Sequence, residues 1–298
     1  MINVPKSTIV VATVLLLLAL SVFYSGCSPR QRQYAVMEKK ILKLWREGEW
    51  TKLKRGQIVA YIRDSRVAGY SNYAIRPAVI DFILAKENAA IKYIEDRLDV
   101  RFPYTVTTNL FHRKEAGYRL FEFGGLALSR VRTLGFVLWQ TNTNNMANVF
   151  LARHEMAHVV ADTMIGPSQT SLFAEGYAVA LTGDGGWETN SDGSNKMLTL
   201  DERMRGFATN GLIMKPSKLI DNTKVVYDYL YPQGGYLIDW MFKRYGVGTV
   251  NRLYGWDAKR IIRDFKWVTG ESFAAMEKAY LRDCSKKFNG KIGTGEVN

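Results

Sequence analysis

His154-Glu155-Met156-Ala157-His158 decides how this chain is read, together with Phe173-Ala174-Glu175-Gly176-Tyr177-Ala178 a little further on. On a helix, residues four apart share a face, so His154 and His158 can offer two imidazole nitrogens to one metal ion. Glu155 sits one step round, beside the open coordination position, where it can take a proton from metal-bound water. Zinc is the natural occupant, because imidazole and carboxylate ligands suit it and a catalytic site keeps one position free. The chain has three histidines in all, and two of them fall in this pattern. The flanks agree: Asn145 can cap the start, Met146 to Ile165 reads as a helix, and Gly166-Pro167 supplies a stop.

Two histidines need a third ligand. His112 is the remaining histidine, and its polar surroundings (His112-Arg113-Lys114-Glu115) read as an exposed strand end. Glu175 fits better, since Ser171 to Leu181 has helical character and can fold back after the Gly166-Pro167 turn. Gly176 and Ala178 beside it would let helices approach closely. Asp162 continues the 154, 158 spacing, but one straight helix cannot easily wrap three turns around a tetrahedral ion. It reads as a supporting or structural residue.

With Glu175-Gly176-Tyr177-Ala178 following the His154 to His158 motif, the chain resembles the gluzincin metallopeptidases, in particular the compact peptidase MA-like catalytic domains. That resemblance implies an α+β, thermolysin-like zincin fold, with a small mixed sheet over the HExxH helix and a helical C-terminal part. It implies Zn2+ held by His154, His158 and Glu175, with Glu155 as general base and then acid. Tyr231-Pro232-Gln233-Gly234-Gly235 is similar to the Tyr-x-Lys-Gly stretch of related aminopeptidases, which would make Tyr231 a donor to the oxyanion. An ordinary core or rim tyrosine is the competing reading in a chain with 16 tyrosines. The gap of 16 residues between His158 and Glu175 is shorter than in the best-known gluzincins. The Gly-x-Met-Glu-Asn segment that grips a free N-terminus is also missing, so endo- and exopeptidase action both stay open. The likeness extends over about Phe82 to Arg282. By the same resemblance, Gly135 to Gln140 is the strand that runs along the cleft and pairs with extended substrate.

Residues 1–26 read as a targeting segment: Lys6 precedes an almost wholly apolar run from Ile9 to Tyr24. Tyr24-Ser25-Gly26-Cys27 resembles a bacterial lipobox, which makes Cys27 the lipidated residue and the chain an envelope lipoprotein. An uncleaved anchor or an ordinary secretory signal are the alternatives. The other cysteine, Cys284, would then be alone, which excludes a disulfide framework. Net charge is +13 and falls by one if the leader is removed with Lys6. Basic residues are spread and no nucleic-acid module is visible, so nucleic acid is not an expected partner. Anionic headgroups beneath a tethered protein, or a merely soluble basic surface, account for the charge.

The remaining organisation follows from pattern. Residues 27–76 read as a helical N-terminal extension, with Gln31 to Trp45 amphipathic, serving as a spacer or a flap. The catalytic domain spans 77–286 and a loose tail 287–298. Pro77 opens a long helix to Leu98. Tyr104 to Phe111, Tyr118 to Phe123 and Gly135 to Gln140 read as strands. Gly183 to Asn195 reads as a loop, and its likeness to a calcium loop fails at Thr199, where a Glu is required. Tyr236 to Tyr245 and Gly270 to Lys286 read as helices. The expected function is zinc-dependent hydrolysis of a peptide or protein substrate outside the cytoplasmic membrane. The alternative is a zincin-derived, non-catalytic binding or envelope-assembly lipoprotein.

Overall fold

The computed structural model describes residues 50–63, 77–112, 125–129, 132–138, 146–189, 195–221 and 227–289. The leader, Cys27, the Gln31 to Trp45 helix and the Tyr118 to Phe123 strand lie outside the described residues. Residues from Glu49 onwards form one compact unit.

The fold is α+β and mostly helical, around one small mixed sheet. Strands β1 (Trp50–Arg55), β2 (Ile58–Arg63), β3 (Val106–His112), β4 (Gly125–Leu128) and β5 (Thr133–Leu138) lie in the order β1-β2-β3-β5-β4. The central pairings β2 with β3 and β3 with β5 are parallel, while both outer pairings are antiparallel. Ile58, Ala60 and Ile62 alternate on one face of β2, and the register sets them beside Val106, Thr108 and Leu110 of β3. That row is buried, as period-two patterning requires.

Helix α1 (Pro77–Leu98) buries Val79, Ile83, Leu84, Ile91 and Ile94 at helical spacing. It packs against α2 (Met146–Met164), and both contact the sheet. α2 ends as its sequence dictates: Gly166 takes φ 111 and its N–H bonds the Asp162 carbonyl at 3.2 Å. After the turn come a π-helical segment, Leu172–Gly176, and the short helix α3 (Tyr177–Thr182). A hairpin follows, β6 (Asp184–Thr189) with β7 (Asn195–Thr199).

Six further helices follow among the described residues: α4 (Leu200–Thr209), α5 (Pro216–Asp221), α6 (Tyr227–Tyr245), α7 (Val247–Tyr254), α8 (Ala258–Thr269) and α9 (Phe273–Phe288). Thr199 and Glu202 form a capping box at α4, with Glu202 N–H donating to Thr199 Oγ1 at 3.2 Å and Thr199 N–H to Glu202 Oε2 at 2.8 Å. α6 is the central strut, touching the π segment, α3, α4 and α7.

Four expectations change. Residues 50–63 are not part of a helical extension; they form the β1–β2 hairpin of the main sheet, since β2 fills the place beside β3 with Ile58, Ala60 and Ile62. Gly183 to Asn195 is not simply a loop but contains β6, the first strand of a hairpin whose second strand begins at Asn195, because Gly185 lets the chains approach. There a Cβ would stand 2.3 Å from the Thr199 carbonyl oxygen. The tail begins later than residue 287, since α9 runs on and buries Phe288. Finally, the strand from 133 to 138 pairs with β3 along its length and with β4 over Thr133–Phe136, so that part presents no free edge to a substrate; residues 139–140 of the expected cleft strand lie outside the described residues. The edge beside it belongs to β4, which packs on α2.

Candidate metal centre

Helix geometry does the first part of the work. His154 and His158 stand one turn apart on α2, their rings edge to face with centroids 4.8 Å apart, and their Nε2 atoms converge to 3.2 Å. The third group comes from the π segment. Its wider turn carries Glu175 into the same space, with Glu175 Oε2 at 3.3 Å from the Nε2 of each histidine. His154 and Glu175 are buried and His158 is nearly so. Two imidazoles and one carboxylate therefore offer three ligand atoms to a single point, and the group can hold a metal ion.

Glu155 is buried beside the triad without belonging to it. Burial raises its pKa, opposed by the two histidines and by the Ala127 N–H, which donates to its carboxylate. Ala127 lies on β4, so the edge strand itself fixes the carboxylate. His158 is different. Burial alone would depress its pKa, but the Glu175 carboxylate outweighs that and lifts it to about 9. Without a metal, a proton fills the role of the cation.

The other candidates separate clearly. Asp162 is turned to structural use: its Oδ1 accepts from the Tyr254 hydroxyl at 2.6 Å. Tyr254 stacks edge to face with Tyr177, and the Tyr177 hydroxyl in turn bonds Asn251. This chain of contacts joins α2 to α7 behind the triad. The backbone of His112 lies at the last position of β3, a strand end as its neighbours suggest. Tyr231 comes to the site: its ring lies parallel to that of His154, centroids 5.5 Å apart and planes 16° apart.

The residues following Tyr231 are structural. Gln233 is fully buried; its Oε1 accepts from Met214 N–H at 2.7 Å and its Nε2 donates to the Leu212 carbonyl at 2.9 Å. Gly234 meets Gly176, and Gly235 meets Val179. Gly176, beside Glu175, thus permits close approach to α6. Ala127 is the site residue that sequence reading missed. Its contribution is a backbone N–H, which no side-chain pattern reports.

No protein-family model matches the chain, and no curated protein matches it by sequence.

Proposed function

We propose that this chain is a zinc-dependent peptidase of zincin type. The observation that carries the proposal is the triangle of His154 Nε2, His158 Nε2 and Glu175 Oε2, with sides of 3.2 to 3.3 Å. A tetrahedral ion bonded at about 2.0 Å separates its ligand atoms by about 3.3 Å, the spacing expected of zinc. Calcium and magnesium demand oxygen-rich shells and do not suit two imidazoles. When bound, zinc supplies Lewis acidity and lowers the pKa of water towards neutrality.

The chain's own residues do the rest. Glu155, with its pKa raised by burial, accepts a proton during attack on the scissile carbonyl and returns it to the leaving amine. Tyr231, stacked on His154, donates its hydroxyl to charge that develops on the carbonyl oxygen. The outer edge of β4, unpaired among the described residues, lies beside Glu155 and pairs with an extended peptide through backbone bonds, which give affinity without demanding a sequence. On the reading of the apolar leader and Cys27, the enzyme works from a lipid anchor on the outer side of a bacterial membrane.

Metal analysis and a peptide-library digest test the proposal. The chain should hold one zinc per molecule and cleave peptides in a chelator-sensitive way. Glu155→Gln should keep the metal and lose about 10²- to 10⁴-fold in turnover, the usual worth of a positioned general base. Glu175→Ala should lose the metal. Metal-free protein that cleaves nothing would leave only a binding role, and full turnover in Glu155→Gln would remove Glu155 from the chemistry.

A further inference from the structure

Helix α8 shows two unlike faces. Ile261 and Phe265 are buried in the core, so the helix is seated firmly and its outer face is not needed for folding. On that outer face Trp267 is 85 % exposed and Ile262 is 42 % exposed. Trp50, Trp240 and Trp256 are all less exposed. Lys259, Arg263 and Lys266 stand at the intervening helical positions and are exposed as well. Arg260, also exposed, stacks its guanidinium over Trp256 at 4.2 Å. Asp264 pairs with Arg263 at 2.7 Å and Asp257 caps the helix, so four cations outnumber two carboxylates.

From this arrangement we infer that the outer face of α8 docks on an anionic lipid bilayer. An exposed indole in water is unfavourable, and so is a partly exposed isoleucine at the flank of the same outer face; at a headgroup boundary both are satisfied. A helix with apolar and basic side chains interleaved on one face is suited to lie in the plane of an anionic surface. Charge complementarity selects the lipid: a net +13 chain repels cationic surfaces and gains little from neutral ones. The buried half of α8 holds this face at a set angle to the compact unit, so docking orients the molecule as well as attaching it. This inference does not need the metal or any catalytic activity.

The full chain is mixed with vesicles of phosphatidylglycerol or phosphatidylcholine carrying brominated acyl chains, and tryptophan emission is read. Phosphatidylglycerol vesicles should quench the wild type, and Trp267→Phe should abolish most of that quenching, while Trp240→Phe should leave it intact. An apolar leader would insert equally in all variants and contains no tryptophan, so it cannot mimic this difference. The triple reversal Lys259→Glu, Arg263→Glu, Lys266→Glu should weaken the phosphatidylglycerol-dependent quenching at least tenfold in lipid concentration, since each basic residue near such a surface is worth roughly fivefold. All variants should keep the wild-type circular dichroism. Equal quenching in wild type and Trp267→Phe would overturn the inference, as would equal quenching by the two lipids. If soluble polyglutamate shields Trp267 from acrylamide while vesicles do not, the face reads a soluble polyanion and bilayer docking is wrong.

Discussion

Gly176 lies against Gly234 so closely that a Cβ on Gly176 would stand 2.7 Å from the Gly234 carbonyl carbon and 2.9 Å from its oxygen. The obstacle is backbone on α6, which cannot swing aside as a side-chain end can. Gly176 directly follows Glu175, so the contact sets how deeply the π segment seats that carboxylate. Gly176→Ala should cost about 1–3 kcal/mol of stability, the usual range for overpacking. It should also weaken metal binding. Urea denaturation and metal titration read the two effects, and normal values in both would show that α6 does not seat Glu175.

Tyr231→Phe retains the ring that stacks on His154 and removes the hydroxyl alone. Metal content should be unchanged, while kcat should fall about 10²- to 10³-fold with little change in KM, as for loss of an oxyanion donor. Unaltered kcat would return Tyr231 to a packing role.

Proton release should accompany metal binding. In the metal-free site His158 holds its proton up to about pH 9 because of Glu175, and a ligand must be deprotonated to bind. Apparent metal affinity should therefore rise by about tenfold per pH unit below 9 and level off above it. Calorimetric titrations in two buffers of different ionisation enthalpy should count about one proton per ion. The same shift stabilises the metal-free fold: a raised histidine pKa contributes fully below the ordinary histidine value of 6.5, and the contribution is lost as pH rises through about 9. A pH-independent affinity between 6 and 8 would contradict the His158–Glu175 coupling.

Glu87 on α1 is fully buried, accepts from Thr108 Oγ1 at 2.9 Å, and has no hydrogen-bond partner for Oε2 among the described residues. Burial raises its pKa to about 8, so it is a neutral acid at pH 7. Its favourable contribution is complete below 4.5 and disappears as pH rises through about 8. Glu87→Gln, which keeps an acceptor for Thr108, should remove that loss and gain a few kcal/mol relative to wild type at pH 9 over pH 5. Parallel stability curves for the two proteins would show that Glu87 is solvated.

The site was legible in the chain to the extent that it depends on one helix. His154, Glu155 and His158 are placed by helical spacing alone, and Gly166-Pro167 ends their helix by its own dihedral constraints. Pro77–Leu98 was equally legible, its apolar residues recurring every three or four positions. The Thr199 and Glu202 capping box was present in the sequence as a signal and marks the start of α4. The β1–β2 hairpin carried a weaker signal, because β1 is exposed on nearly every residue and only β2 alternates.

Sequence by itself determined the two imidazoles, the neighbouring carboxylate and the helix beneath them, because an i, i+4 relation is satisfied within a single turn. Tertiary structure alone decided that Glu175 joins them and Asp162 does not, that Tyr231 lies over His154, and that β4 is the outermost described strand beside Glu155. Those relations join segments far apart in the chain. They depend on which backbones can come within van der Waals distance, as Gly176 and Gly234 do.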